Sequence, residues 1–180
     1  QLDDAALLKL GEKICAALHK TFELTGAAVQ ISGSVGFTVF PELAGDAIEL
    51  FEQADYALYH SKRTSRGSPV LFSAEHQDEI HRNGRIEYAL RVADLDNELS
   101  VVFQPIVDAR TEKVIAFEAL ARWHSASLGD VSPGHFVPVA ERAGLINRLT
   151  RVLLIKALAA TASWPDDIKL SFNLSNHDIN

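Results

Sequence analysis

Eleven residues in the middle of the chain restrict its fold more than any others. If Lys113 to Trp123 is extended, Val114, Ala116, Glu118, Leu120 and Arg122 line one face, and Ile115, Phe117, Ala119 and Ala121 line the other. Both faces are largely apolar, which is the pattern of a strand covered on both sides. With strand, helix and strand following one another around it, the class predicted is α/β. A second run, Leu99 to Val107, precedes it across the polar turn Asp108-Ala109-Arg110-Thr111-Glu112. So short a connection predicts an antiparallel pair.

Helices are predicted on either side. Pro133 starts one that runs through Ala143, and Ile146, Leu149, Leu153, Ala157 and Ala160 stripe the next. A last strand alternates Ile168, Leu170, Phe172 and Leu174 with Lys169, Ser171, Asn173 and Ser175. Towards the amino end, Leu7, Leu10, Ile14 and Ala17 mark an amphipathic helix over residues 3–20 with Asp3 or Asp4 as cap. From Ala28 the period becomes two, with Val29 and Ile31, then Val35, Phe37 and Val39, as a strand or bulged pair broken at Gly33 and Gly36. Asp46 can cap a helix striped by Ala47, Phe51, Ala54 and Leu58, and a short strand from Val70 to Phe72 comes next. Residues 73–98 carry seven acids and three arginines, with Ile80, Tyr88, Leu90 and Leu95 as scattered apolar positions. This segment is expected to be a connecting helix with few core contacts, the alternative being that Ile80, Tyr88 and Leu90 form one face of a helix packed permanently on the following domain.

Composition excludes several classes of function. The 180 residues are 47% apolar and 23% charged, with 17 Lys+Arg against 24 Asp+Glu and a net charge of −7. An acidic balance argues against broad capture of nucleic acid, which needs a basic face. No run approaches the ~18 apolar residues that span a bilayer, and the first thirty lack the order of a signal peptide. The single cysteine, Cys15, excludes an internal disulfide framework and a CxxC zinc site, and a cytoplasmic location is expected. The chain starts with Gln1 and has no methionine, so it is expected to be an excerpt of a longer protein.

Three places could carry chemistry. Glu118 and Arg122 lie on an apolar strand, where charges are costly unless they pair or bind something. Four residues apart along a strand they pair poorly, which leaves an internal ion pair and a functional role both open. Ser171, Asn173 and Ser175 share a face that is either solvated or part of a site at the carboxyl ends of parallel strands. An Asn oxygen and a Glu carboxylate converging there would be hard ligands, suited to magnesium or manganese rather than zinc. Lys62 and Arg66 would share a helix face, either because the helix dipole favours cations there or to hold a phosphate. The seven histidines show no metal-binding spacing, and Cys15 has no partner set that marks a nucleophile.

Several motifs in register resemble EAL domains: Phe103-Gln104-Pro105-Ile106-Val107, Phe117-Glu118-Ala119-Leu120-Ala121-Arg122-Trp123, Ser132-Pro133, the run from Phe136 to Ile146, and Phe172-Asn173-Leu174-Ser175. The part before them resembles the second half of a GGDEF domain, through Ser34-Val35-Gly36, the run Ala54 to Arg63, and Arg66. The resemblance implies a bacterial cyclic di-GMP signalling protein with three parts: a partial GGDEF domain at 1–72, a connecting helix at 73–98, and a partial EAL domain at 99–180. It implies a modified (β/α)8 barrel whose first two strands are antiparallel, and hydrolysis of cyclic di-GMP to pGpG with two Mg2+ or Mn2+ ions. By motif, Glu118 and Asn173 would be metal ligands, Gln104 and Arg122 would contact the dinucleotide, and Glu141 would be a structural acid.

The same resemblance makes Lys62 and Arg66 contacts to GTP phosphates, with Ser65 and Gly67 standing where Gly and Asn are usual. The family's other metal carboxylates and its lysine beside the attacking water would lie after Asn180, and the GGDEF signature before Gln1. The segment given would then hold no complete catalytic site. A non-catalytic cyclic di-GMP receptor with degenerate domains is the alternative reading, and the family leaves a homodimer open.

Overall fold

A computed structural model describes residues 3–176. The chain divides into two compact units, residues 1–80 and 81–180.

In the first unit, α1 (Asp4–Leu18) starts where the Asp3 carboxylate accepts the Ala6 amide at 3.0 Å. β1 (Thr21–Leu24) and β2 (Ala27–Gln30) form an antiparallel hairpin around Gly26, whose φ of 92° suits a residue without Cβ. β3 (Val35–Phe37) pairs in parallel with β4 (Pro69–Leu71), and α2 (Ala47–Thr64) connects them. α2 is capped by Asp46, which accepts the Ile48 and Glu49 amides at 2.9 and 2.8 Å. Gly36 lets β3 approach α2 closely: a Cβ there would stand 2.4 Å from both the Ala54 oxygen and the Leu58 nitrogen.

Three expectations for this unit need correction. The stretch from Ala28 to Val39, expected as one strand or a bulged pair, forms two strands in different sheets, and the partner of the first, β1, lies where no strand is predicted. The buried face of α1 is Gly11 and Cys15, while Leu10 and Ile14 are exposed. Gly11 sits where a Cβ would meet Pro69, so the smallest residue marks the packed face that the leucines were expected to mark. α2 likewise buries Gln53, Ala57 and Ser61 and leaves Phe51 75% exposed. Its buried polar groups are satisfied. Gln53 donates to the Leu43 carbonyl at 2.7 Å and accepts from the Thr38 hydroxyl at 2.8 Å, and Ser61 donates to the Ser68 carbonyl at 2.6 Å.

α3 (Ala74–Val92) spans the division between the units. It was expected to have few core contacts, yet Ile86, Ala89 and Leu90 are all 3% exposed or less. The spacing i, i+3, i+4 gathers them on one stripe. Tyr88, expected among the apolar positions, is 70% exposed because it lies off that stripe. The connecting segment is also not one helix. α3 ends at Val92, and α4 (Leu95–Glu98) is a separate turn.

In the second unit, β5 (Leu99–Val107) and β6 (Val114–Ser125) form the antiparallel pair that the short turn predicts. Asp108 builds that turn by accepting the Arg110 and Thr111 amides, each at 2.9 Å. These bonds, that from Thr111 first, hold its carboxyl below the usual value. β7 (Gly129–Val131) folds back on the end of β6, an element absent from the sequence expectation. α5 (Pro133–Arg142) and α6 (Ile146–Thr161) carry the chain across to β8 (Lys169–Phe172), which pairs in parallel with β6. The helices cover the face of β6 that includes Ala121 and Trp123, and Trp123 meets Phe136 edge-on at 5.5 Å. The Trp123 indole donates to Glu98 at 3.0 Å, tying α4 to the sheet.

Candidate functional site

β6 is the axis of the site. Its antiparallel register sets Gln104 directly across from Glu118 on one side, and its parallel register sets Ser171 across from Glu118 on the other. Because side chains alternate along a strand, Ala116, Glu118, Leu120 and Arg122 share the face opposite the helix-covered one. β8 gives up its pairing after Phe172, which is registered with Ala119. Asn173 comes immediately after, and its Nδ2 donates to Glu118 Oε1 at 2.6 Å. A carboxylate and an amide 55 residues apart are thus brought together by a strand pairing and one strand end.

Further along, Ser175 donates to Glu141 Oε1 at 2.6 Å, joining the segment after β8 to α5. Arg122 is exposed, and its Nη1 donates to the Ala121 carbonyl at 2.8 Å. The ion pairs among the described residues are Arg91 with Glu87 and His124 with Asp130, so Glu118 and Arg122 are not paired with each other. Their separation along the strand, about 13 Å at the usual rise, explains why.

The donor chemistry of Glu118 and Asn173 bears on metal binding. With Nδ2 turned to the carboxylate, the amide oxygen of Asn173 is left for another partner, so the pair offers a carboxylate and a carbonyl oxygen from neighbouring strands. That set fits a hard divalent cation. Among the described residues, no group of three or more His, Cys, Asp or Glu is gathered as a metal shell. By itself the pair would supply only part of the shell such a cation needs.

The other two sequence candidates are not brought together. α2 ends at Thr64, and Ser65 leaves the helical region with φ −149° and ψ 56°. Lys62 therefore stays on the helix while Arg66 lies beyond it, and the shared face that a continued helix would give does not form. Arg66 instead borders a cavity of about 390 Å3 with Glu12, Cys15 and His19 of α1 and its cap. Those three stand at i, i+3 and i+7, a helical spacing legible in the sequence once Cys15 is weighed with its neighbours rather than alone. A ring cluster of Tyr56, His60, Phe72 and His76 gives no such signal, and its His60 and His76 centroids are 4.7 Å apart. Burial, and then the neighbouring His60, hold His76 below its ordinary pKa.

Comparison with known proteins places this geometry in context. The family model described as EAL domain matches residues 87–180. An uncharacterized signaling protein of Caulobacter vibrioides is 33% identical over 171 residues, covering 95% of this chain and 21% of that protein. The bifunctional diguanylate cyclase/cyclic di-GMP phosphodiesterase MucR of Pseudomonas aeruginosa is 31% identical over 176 residues, covering 96% of this chain and 25% of that protein. Among solved structures, the S helix-GGDEF-EAL portion of Vibrio cholerae LapD bound to c-di-GMP aligns over 98% of this chain and 41% of that one. Its TM-score is 0.54 at 11% identity, a likeness of fold alone. The chain spans about a fifth to a quarter of the length of the curated relatives it matches. No helix among the described residues is long and apolar enough to cross a membrane.

Proposed function

The chain belongs to the EAL-domain family, with the family match over residues 87–180, and from that membership we propose that its site hydrolyses cyclic di-GMP to pGpG with the help of divalent cations. The observation that carries the reading is the 2.6 Å contact between Asn173 and Glu118 beside Gln104, on the face that Arg122 shares. The likeness to MucR, a bifunctional diguanylate cyclase/cyclic di-GMP phosphodiesterase, supports it.

In this reading Glu118 and Asn173 hold Mg2+ or Mn2+ through hard oxygen atoms. The cations would neutralise charge on the phosphodiester and lower the pKa of a water. Gln104 contacts the dinucleotide from the strand beside Glu118. Arg122, higher on the same face, offers a fork of N–H donors to a phosphate, and leaving its present bond to the Ala121 carbonyl would free Nη1 for it. The four-stranded sheet with α5 and α6 crossing over it is read as the opening of a modified (β/α)8 barrel. Residues 1–72 are read as the second part of a GGDEF domain, in which Lys62 and Arg66 would each approach GTP phosphates from separate backbone segments. Residues 73–98 are read as the connection and 99–180 as the EAL part, although the family match begins within the connection, at residue 87.

The test is conversion of cyclic di-GMP by the full-length protein in saturating Mn2+, with separation of the products. Glu118→Ala and Asn173→Ala should each abolish turnover, while Arg122→Ala should mainly raise KM. Turnover near wild type in either metal-ligand variant overturns the assignment. Tight binding of cyclic di-GMP by a wild-type protein that never yields pGpG would instead support a non-catalytic receptor.

A further inference from the structure

Asn173 stands just beyond the end of β8, so the sheet does not fix it. The last residue of β8 paired with β6 is Phe172, and the ladder stops there. Two residues beyond Asn173, the Ser175 hydroxyl donates to Glu141 Oε1 at 2.6 Å. Glu141 is well anchored. It belongs to the last turn of α5, whose Phe136, Val139 and Ala140 are 2% exposed or less. Among the described residues it takes part in no ion pair. The apolar core thus fixes the backbone of Glu141, and its carboxylate meets the segment that carries Asn173.

We infer that Glu141 is a positioning residue: through Ser175 it straps the segment after β8 to α5, and so holds the Asn173 amide against Glu118. This inference rests on the reading of Glu118 and Asn173 as a metal-binding pair. Asn173 is then held from both sides. Its amide is bonded to Glu118 at 2.6 Å, and its backbone is restrained two residues on by the strap. A ligand on a free strand end would lose conformational entropy on binding a cation, and the strap removes that freedom beforehand.

The experiment is Mn2+ titration of the full-length protein by calorimetry and by the electron paramagnetic resonance of free Mn2+, independent of turnover. Glu141→Ala and Ser175→Ala are each expected to weaken Mn2+ binding by about 10- to 100-fold, the usual effect of losing an outer partner of a ligand. The double variant should be no weaker than the worse single one, because both remove one bond. Glu141→Gln, which keeps an acceptor oxygen, should recover most of the affinity. Leu149→Ala, in the same core and 1% exposed, should lower stability and leave Mn2+ affinity unchanged.

Wild-type affinity in Ser175→Ala or Glu141→Ala, with Asn173→Ala severely weakened, overturns the strap and spares the metal pair. Additive losses in the double variant overturn it as well. Unchanged affinity in Asn173→Ala overturns the pair, and the strap with it. Should Glu141→Ala fail to fold, Ser175→Ala and Glu141→Gln decide the question.

Discussion

The two units are each held together by different means. In the second, Trp123, Phe136, Leu90, Leu99 and Leu149 are all 2% exposed or less and belong to one continuous apolar cluster drawn from α3, β5, β6, α5 and α6. In the first, the buried apolar side chains among the described residues are Cys15, Ala44, Ala57 and Phe72, most of them small, and the polar Ser61 is buried completely beside them. There the interior is organised by hydrogen bonds, those of Gln53 and Ser61 above all, while Ile48 and Phe51 are 72% and 75% exposed. A large apolar core resists loss of any one polar contact, whereas an interior of small side chains depends on each. The Glu118 and Asn173 pair stands on the unit with the apolar core, as a site that must hold its geometry requires.

The contrast is broken most directly by two phenylalanines. Phe136→Ala should destabilise the second unit by about 3–5 kcal/mol, as truncation of a fully buried ring next to Trp123 leaves a cavity that rigid helices cannot close. Phe51→Ala should change the first unit by no more than about 0.5 kcal/mol. Urea unfolding of the full-length protein, read by a fluorophore placed in each unit, measures both. Equal losses would show that burial does not separate the units.

Within α3 the same contrast can be drawn along one helix. Ile86→Ala should cost about 2–5 kcal/mol, whereas Ile80→Ala, at a residue 38% exposed, should cost less than about 1 kcal/mol. Hydrogen exchange should show amides near Leu90 protected like those of β6, and those near Ala74 opening far more readily. Uniform protection from Ala74 to Val92 would make the whole helix part of one core.

This helix also shows what sequence reading can and cannot reach. The β5–β6 hairpin, α5 and the face of α6 are legible, because each depends on local periodicity and on a turn or cap written within a few residues. Ile86 escapes notice because a charged helix hides a three-residue stripe. The faces of α1 and α2 differ from expectation because Gly11 and Gln53 carry packing that larger apolar neighbours were expected to carry. Glu118 is legible from its strand face and motif and Asn173 from its motif alone, since β8 ends at Phe172, short of the alternation expected through Ser175, and their contact depends on a parallel pairing across two helices. Glu141 meeting Ser175 depends on the same long-range closure, which no local pattern encodes.

The third expectation sharpens the polar side of the comparison. Gln53→Ala strands the Leu43 carbonyl and removes the partner of the Thr38 hydroxyl inside the first unit. An unsatisfied buried group costs about 1–3 kcal/mol. Gln53→Glu should be worse than Gln53→Asn at neutral pH, since a carboxylate brings a charge to a side chain that is 5% exposed and cannot donate to the Leu43 carbonyl. A Gln53→Ala variant as stable as wild type by urea unfolding would mean that water replaces the lost bonds, and that this interior is looser than its hydrogen bonds imply.

The smallest expected effect is a dependence on pH confined to the first unit. His76 packs against Phe72, Tyr56 and His60, and its Nδ1 accepts the Ser73 amide at 3.1 Å. That bond requires a neutral ring with its proton on Nε2. Burial lowers its pKa below 6.5 and the facing His60 lowers it further, while Glu79 and Glu75 on its own helix oppose the shift. A histidine whose pKa is lower folded than unfolded binds its proton more readily when the chain is unfolded. The stabilising contribution is therefore present above the unfolded value of 6.5, is drawn down as pH falls below it, and is lost once pH passes the lower folded value. The first unit should lose stability as pH falls below 6.5 and on through the lower folded value, and His76→Phe, which keeps an aromatic ring in the cluster, should flatten that slope without altering the second unit. Proton NMR of the Ser73 amide offers a direct check, because its signal should move with the same midpoint as the His76 ring. An unchanged slope in His76→Phe would place the pH sensitivity elsewhere and remove the ring cluster from the account of how the first unit is held.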